Sequence, residues 1–277
     1  MTEKLIITVA PTGSMPRKSH TPHVPITTDE IVTDALLCEE AGASVLHIHT
    51  RDEEQNPSDD PDRFAQVVSA LTGRTRLILQ ISTGGRAGTS LESRLARLAA
   101  GGEMASLTTG SVNFPNSAYV NPPDLVEGLA AEMMRLSLKP EIEVFDTAML
   151  HNGIALMERG LIPQPLHFNF VMGLKGAIPA RVEHLVHLVR FLPPGSTWGV
   201  SGVGAGQLPM ATHAILMGGH VRVGLEDNIY YSKGQLATNR MLVERIVEIS
   251  RILGRDVATP DEARSILGLK PRTGDRA

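Results

Sequence analysis

Eight short apolar runs alternate with segments of helical spacing along the chain, and polar residues gather where the runs end. Together with a length of 277 residues, this predicts a single (β/α)8 barrel. Such barrels take about 250 residues and carry their chemistry at the C-terminal ends of the strands. The barrel takes in the whole chain, 1–277, with a short helical extension over about 255–277. A doubly wound open sheet is the competing architecture. It calls for Gly-x-Gly-x-x-Gly after the first strand, where the chain has Pro11-Thr12-Gly13.

Residues 5–10 are apolar and β-branched and stop at Pro11, which predicts a buried strand. The polar stretch 14–26 predicts a long loop of the kind that carries function. Thr27 and Glu30 form a capping box opening a helix to about Ala41, which Gly42 ends. The second strand holds His47 and His49, and a helix follows over 59–71. The third strand, 77–81, runs into Ser82-Thr83-Gly84-Gly85. Thr89 and Glu92 predict a second capping box, with a helix to about Ala100. The next pairs are strand 104–107 with helix 123–138, strand 140–146 with a helix to about Arg159, and strand 166–171 with helix 179–191. Strand 197–200 ends in Ser201-Gly202-Val203-Gly204 and precedes helix 208–217. Strand 220–223 leads into Gly224-Leu225-Glu226-Asp227-Asn228, a long helix over 235–253 and a small one over 260–267.

Composition narrows the function. The chain is 42% hydrophobic and 20% charged, with net charge −4 from 26 basic and 30 acidic residues, so it offers no basic stripe for nucleic acid. Aromatics make up only 4%, too few for base-stacking platforms. A lone cysteine, Cys38, excludes an intrachain disulfide and fits a reducing cytoplasm. The N-terminus lacks signal-peptide architecture, and no apolar run reaches the ~18 residues that would suggest a membrane span. A cytoplasmic homo-oligomer, dimer or tetramer, is the expectation.

Within the strand around 45–49, residues i and i+2 share a face. His47 and His49 therefore leave it together, their Cα atoms about 6–7 Å apart. Burying two polar rings side by side costs free energy unless each finds a partner, and one small cation serves both. An ordinary hydrogen-bonded core histidine is the everyday alternative. Other strand ends carry Thr12, Arg51, Ser82, Thr108, Glu143, Asn169, Ser201 and Arg222. In a closed barrel the last strand adjoins the first, so Glu226 can reach over the mouth toward the histidines. Two histidines and one carboxylate with open positions suit zinc or another divalent ion. Asp227 is then free to act as base, with Arg222 holding it ionised. Against this stands a plainer role for both acids, favoured beside a helix N-terminus. The glycine-rich turns at 82–85 and 201–204 are either tight turns or backbone cradles for an anion.

The segments Ala10-Pro11-Thr12-Gly13, Thr27-Thr28-Asp29-Glu30-Ile31, His47-Ile48-His49-Thr50-Arg51, Gln80-Ile81-Ser82-Thr83-Gly84-Gly85, Glu103-Met104-Ala105-Ser106-Leu107, Pro140-Glu141-Ile142-Glu143, 218–228 and 258–264 span nearly the whole chain in order. In these the chain resembles the β-keto acid cleavage enzymes, typified by 3-keto-5-aminohexanoate cleavage enzyme. The resemblance implies a zinc-dependent (β/α)8 barrel converting a β-keto acid and acetyl-CoA into acetoacetate and a new acyl-CoA. It places the zinc ligands on His47, His49 and Glu226, the base on Asp227 and its activator on Arg222. Substrate contacts fall on Ser82, Gly85 and Ser106, the last a threonine in the aminohexanoate enzyme. Thr108 and Glu143 are further substrate-binding candidates. Where that enzyme pairs a glutamate with the substrate ammonium, this chain has Met15. A thioether cannot balance a buried ammonium, so a neutral or anionic keto acid is expected; Arg17 and Lys18 nearby either serve an anionic tail or are solvated surface charges.

The chemistry fits the residues. A divalent ion acts as Lewis acid toward the keto and carboxylate oxygens, Asp227 removes the proton between those groups, and donors near Ser82 and Ser106 meet the oxyanion. Rival readings are a metal-dependent aldolase or hydrolase that needs no CoA, and a non-catalytic metabolite sensor. The pairing of Arg222 with Asp227 argues against the sensor.

Overall fold

A computed structural model describes residues 3–85, 89–114 and 117–271. In chain order the elements are β1 (Ile7–Val9), α1 (Thr28–Ala41), β2 (Val45–Ile48), α2 (Pro61–Leu71), β3 (Ile78–Ile81), α3 (Leu91–Leu98) and β4 (Met104–Thr108). There follow β5 (Val112–Phe114), β6 (Ser117–Tyr119), α4 (Pro123–Arg135), β7 (Lys139–Val144), α5 (Thr147–Glu158), β8 (His167–Met172), α6 (Val182–Val189) and β9 (Thr197–Gly202). The last are α7 (Gln207–Leu216), β10 (His220–Val223), β11 (Tyr230–Ser232), β12 (Gln235–Leu236), α8 (Asn239–Ile252) and α9 (Pro260–Leu267). Eight of the strands close into a parallel barrel in the order β1-β10-β9-β8-β7-β4-β3-β2. The expected (β/α)8 barrel is the observed one.

Alternation along the strands sorts the side chains. In β7, Ile142 faces outward, where a Cβ added to Gly153 of α5 would meet it at 2.8 Å. Glu141 and Glu143 take the opposite face. The barrel interior is accordingly polar and cross-bonded: Asn169 to Glu141 at 3.4 Å, Ser201 to Asn169 at 2.9 Å, and His47 with Gln80 at 2.5 Å. The apolar core lies between the outer strand faces and the helices, and includes Leu46, Ile81, Leu107, Ile142, Phe168 and Val200. Beneath the barrel, α9 closes the N-terminal end. Its Ala263 and Leu267 join Ile6, Val45, Ile78 and Met104 in a second buried cluster.

The first capping box forms as expected, and Gly42 ends α1 with φ 113°. The second does not. Thr89 gives its hydroxyl to Asp59 Oδ2 at 3.0 Å, and Ser90 becomes the cap of α3, accepting from Ser93 N at 3.2 Å. The last long helix also starts later than expected. Residues 230–236 fold as the hairpin β11–β12 around Gly234 (φ 80°), and Thr238 caps α8. The hairpin β5–β6, which follows β4, is absent from the sequence reading.

Candidate active site

At the C-terminal mouth, β2 and β10 both pair with β1. This brings His47 and His49 together with Glu226, which follows β10. One ligand atom from each lies within 4.8 Å of the other two. His49 Nε2 stands 3.4 Å and His47 Nε2 4.0 Å from Glu226 Oε1. Gly13 makes this approach possible: it sits at φ +57°, and a Cβ there would lie 2.3 Å from Glu226 Cγ. Arg51 fixes the same loop by donating to the carbonyls of Gly13 at 2.7 Å and Pro16 at 3.0 Å.

Hydrogen bonding and charge prepare His47 and Glu226. With Gln80 Oε1 as acceptor, His47 Nδ1 carries the proton and Nε2 keeps its lone pair for the mouth. Burial, with the Arg222 charge behind it, lowers His47 to about 4, so its ring is neutral at neutral pH. Burial opposes ionisation of Glu226, but Arg222 and the two imidazoles outweigh it and hold the carboxyl well below its usual range. Among the described residues, Glu226 Oε2 is buried without a hydrogen-bond partner. An orphaned carboxylate oxygen is costly, and a carboxylate with one such oxygen, its other oxygen facing two imidazole nitrogens, fits a divalent cation.

Arg222 links the acids. It donates to Asp227 Oδ2 at 2.9 Å and Oδ1 at 3.1 Å, and to Glu226 Oε1 at 2.6 Å. Its Nη1 lies 3.7 Å from Glu143 Oε1 and makes no hydrogen bond among the described residues. Burial raises Asp227 to about 6 against the opposing pull of Arg222. Two adjacent carboxyls thus differ in kind: one firmly ionised, the other with the basicity a proton acceptor needs.

Of the remaining candidates, Ser82 lies beside His49 around Gly84, and Glu143 faces Arg222. Ser82 Oγ accepts from Gly84 N at 3.2 Å, and Ser106 Oγ accepts from Thr83 N at 3.1 Å, and among the described residues neither hydroxyl donates. A Cβ on Gly85 would stand 2.9 Å from Thr89 Cβ, marking a close approach of that turn to its neighbour. Thr108 Oγ1 bonds Glu143 Oε2 at 2.7 Å. Burial lifts Glu143 to about 7, with Arg222 resisting. Met15 is 77% exposed. Arg17 and Lys18 are engaged within their loop region: Arg17 by Glu54 O and Asn56 Oδ1, Lys18 by Glu30 Oε1.

A family model described as beta-keto acid cleavage enzyme matches residues 4–269. The chain belongs to the β-keto acid cleavage enzyme family. It is 47% identical over 274 residues to 3-oxoadipate:acetyl-CoA acetyltransferase of Cupriavidus necator, covering 97% of this chain and 96% of that one. It is 44% identical over 273 residues to 3-keto-5-aminohexanoate cleavage enzyme of Fusobacterium nucleatum subsp. nucleatum, covering 98% of this chain and all of that one. The apo structure of ObcA shares the fold at TM-score 0.79 and 22% identity, over 90% of this chain and 66% of that longer one. In this family member, sequence reasoning missed Gln80 as the partner of His47, and Tyr119, which the hairpin β5–β6 carries to the mouth. Only the register between β2 and β3, which sets Gln80 beside His47, reveals that partner.

Proposed function

We propose that this family member is a zinc-dependent acyltransferase that turns a β-keto acid and acetyl-CoA into acetoacetate and a new acyl-CoA, on a keto acid with a neutral or anionic tail. The carrying observation is the convergence of His47, His49 and Glu226, with Glu226 Oε2 buried and, among the described residues, unpartnered. These three would hold the ion, which supplies Lewis-acid polarisation of the keto and carboxylate oxygens. Asp227 accepts the proton from the carbon between those groups. Arg222 keeps its carboxylate aimed, and Ser82 and Ser106 offer hydroxyls to the oxygen that gains charge during attack on the thioester. Gly85, Thr108 and Glu143 complete the substrate-facing wall.

Met15 puts no charge where an ammonium would need one, and the relative named for 3-oxoadipate, a dicarboxylic keto acid, supports an anionic tail. The buried, lone Cys38 is in keeping with a cytoplasmic setting, and a homo-oligomer, dimer or tetramer, completes the reading.

The test is isotope exchange. With 13C-acetyl-CoA and unlabelled acetoacetate, the proposed chemistry regenerates both compounds and moves label into acetoacetate, whatever the natural keto acid. Label transfer is expected with the parent protein and not with His47→Ala, which should also lose its zinc in metal analysis. No exchange by the zinc-loaded parent, or full metal retention by the variant, would overturn the reading.

A further inference from the structure

The structure assigns Tyr119 a place at the mouth that none of the motifs announces. A Cβ on Gly84 would lie 3.8 Å from the Tyr119 hydroxyl, 3.8 Å from His49 Cε1 and 3.3 Å from Ser82 Oγ. The absent side chain of Gly84 therefore leaves a space that Tyr119, Ser82 and a candidate metal ligand all border. The ring is fixed there. Phe114 stacks on it at 6.1 Å between centroids and 10° between planes, and Phe145 meets it edge-on at 6.4 Å.

The hydroxyl's partners leave its proton in reserve. Arg94 of α3, 1% exposed, donates from Nη2 to the Tyr119 oxygen at 3.2 Å and from Nε to Thr83 O at 2.7 Å. A guanidinium only donates, so the tyrosine oxygen is the acceptor there. Thr108 has one proton, and it points to Glu143 at 2.7 Å. The Tyr119 proton is then left with Thr108 Oγ1 at 3.3 Å, a long contact for an O–H donor. An oxygen gaining negative charge is the better acceptor, and the nearby Arg94 cation increases the polarity of the donor. Arg94 is thus the cation in direct contact with the Tyr119 oxygen.

We propose that Tyr119 donates a hydrogen bond to the thioester carbonyl oxygen of acetyl-CoA as that oxygen becomes an oxyanion, with Arg94 as its positioning residue. Attack by the carbanion between the keto and carboxylate groups forms a C–C bond and moves the carbonyl π pair onto oxygen. Tyr119 shares its proton with that oxygen and keeps it. When the pair returns, the C–S bond breaks and CoA leaves as thiolate. This inference rests on the acyl-transfer reading above.

Tyr119→Phe, measured in the exchange assay, separates the possibilities. Loss of one such donor costs about 10²–10³ in kcat, so that fall is expected, with KM for both substrates kept within about threefold, zinc content unchanged and the variant still folded at the assay temperature. 3-Fluorotyrosine at position 119, a stronger acid of nearly equal size, should match or exceed the parent kcat. Retained kcat in Tyr119→Phe, a loss carried by KM, or a fluorotyrosine enzyme as slow as the phenylalanine variant would each overturn the role. Absence of exchange in the parent would overturn the acyl-transfer reading and this inference with it.

Discussion

The three candidate metal ligands are legible or not according to how far apart they stand in the chain. His47 and His49 declare themselves, because strand geometry alone puts i and i+2 on one face. Glu226 needed barrel closure, since only the pairing of β1 with both β2 and β10 brings it near. Gly13 shows how tightly that approach is set. A Cβ there would stand 2.3 Å from Glu226 Cγ and 3.0 Å from its Cα, and the residue sits at φ +57°. Gly13→Ala should fold, with a cost of about 1 kcal/mol for the left-handed backbone. It should bind zinc more weakly by about tenfold or more, as a displaced Glu226 meets the histidines poorly. A competition titration against a chelator checks this; parent-like affinity would show that Gly13 does not position Glu226. Tyr119 was illegible for the opposite reason. Its neighbours Val112-Asn113-Phe114 and Ser117-Ala118-Tyr119 are two three-residue strands, too short for alternation to rise above loop composition.

Between elements, the mouth depends on a junction of helices that no motif marks. Asn239, at the first turn of α8, accepts from Leu225 N at 2.7 Å and donates to Pro11 O at 3.3 Å and to Asp34 Oδ2 of α1 at 2.6 Å. One amide thus ties the residue before Glu226 to the end of β1 and to α1. Burial raises Asp34 to about 6, with the Asn239 bond pulling the other way. The folded state holds that proton more tightly than the unfolded chain. Stability from this group is therefore complete below the unfolded pKa of 3.8 and is lost as pH rises through about 6. Asp34→Asn keeps an acceptor for Asn239 but has nothing to ionise. It should be more stable than the parent at pH 8 by about 3 kcal/mol and nearly equal at pH 4. Thermal melts at the two pH values decide the matter. A gain of the same size at both would place the effect in packing and not in the charge. The helix boundaries misread from sequence have the same character: Thr89 was diverted by Asp59, a partner 30 residues away.

Across the whole molecule, the barrel separates stability from chemistry along its axis. The polar interior that serves the mouth cannot also supply an apolar plug, so the other end must be sealed by something else. The chain uses its own C-terminal helix. Arg264 of α9, 2% exposed, grips Glu103 just before β4 through bonds of 2.6 and 2.8 Å. Leu267, 1% exposed, sits under Ile6, Val45, Ile78 and Met104. The repeat of strand and helix made the barrel readable, because each unit obeys a local period. The sealing role of residues 260–267 was not readable, since an amphipathic eight-residue helix looks the same wherever it docks. Leu267→Ala leaves a cavity against β1, β2, β3 and β4 at their starting ends and should cost about 2–5 kcal/mol in denaturant unfolding. The candidate ligands and Asp227 lie at the opposite ends of the strands, in the polar network and out of this cluster. The surviving folded molecules should then keep parent kcat in the exchange assay and full zinc content. A variant that unfolds at the parent's denaturant midpoint would show that α9 rests on the barrel without sealing it. One that loses kcat while still folded would show that the two ends are mechanically coupled.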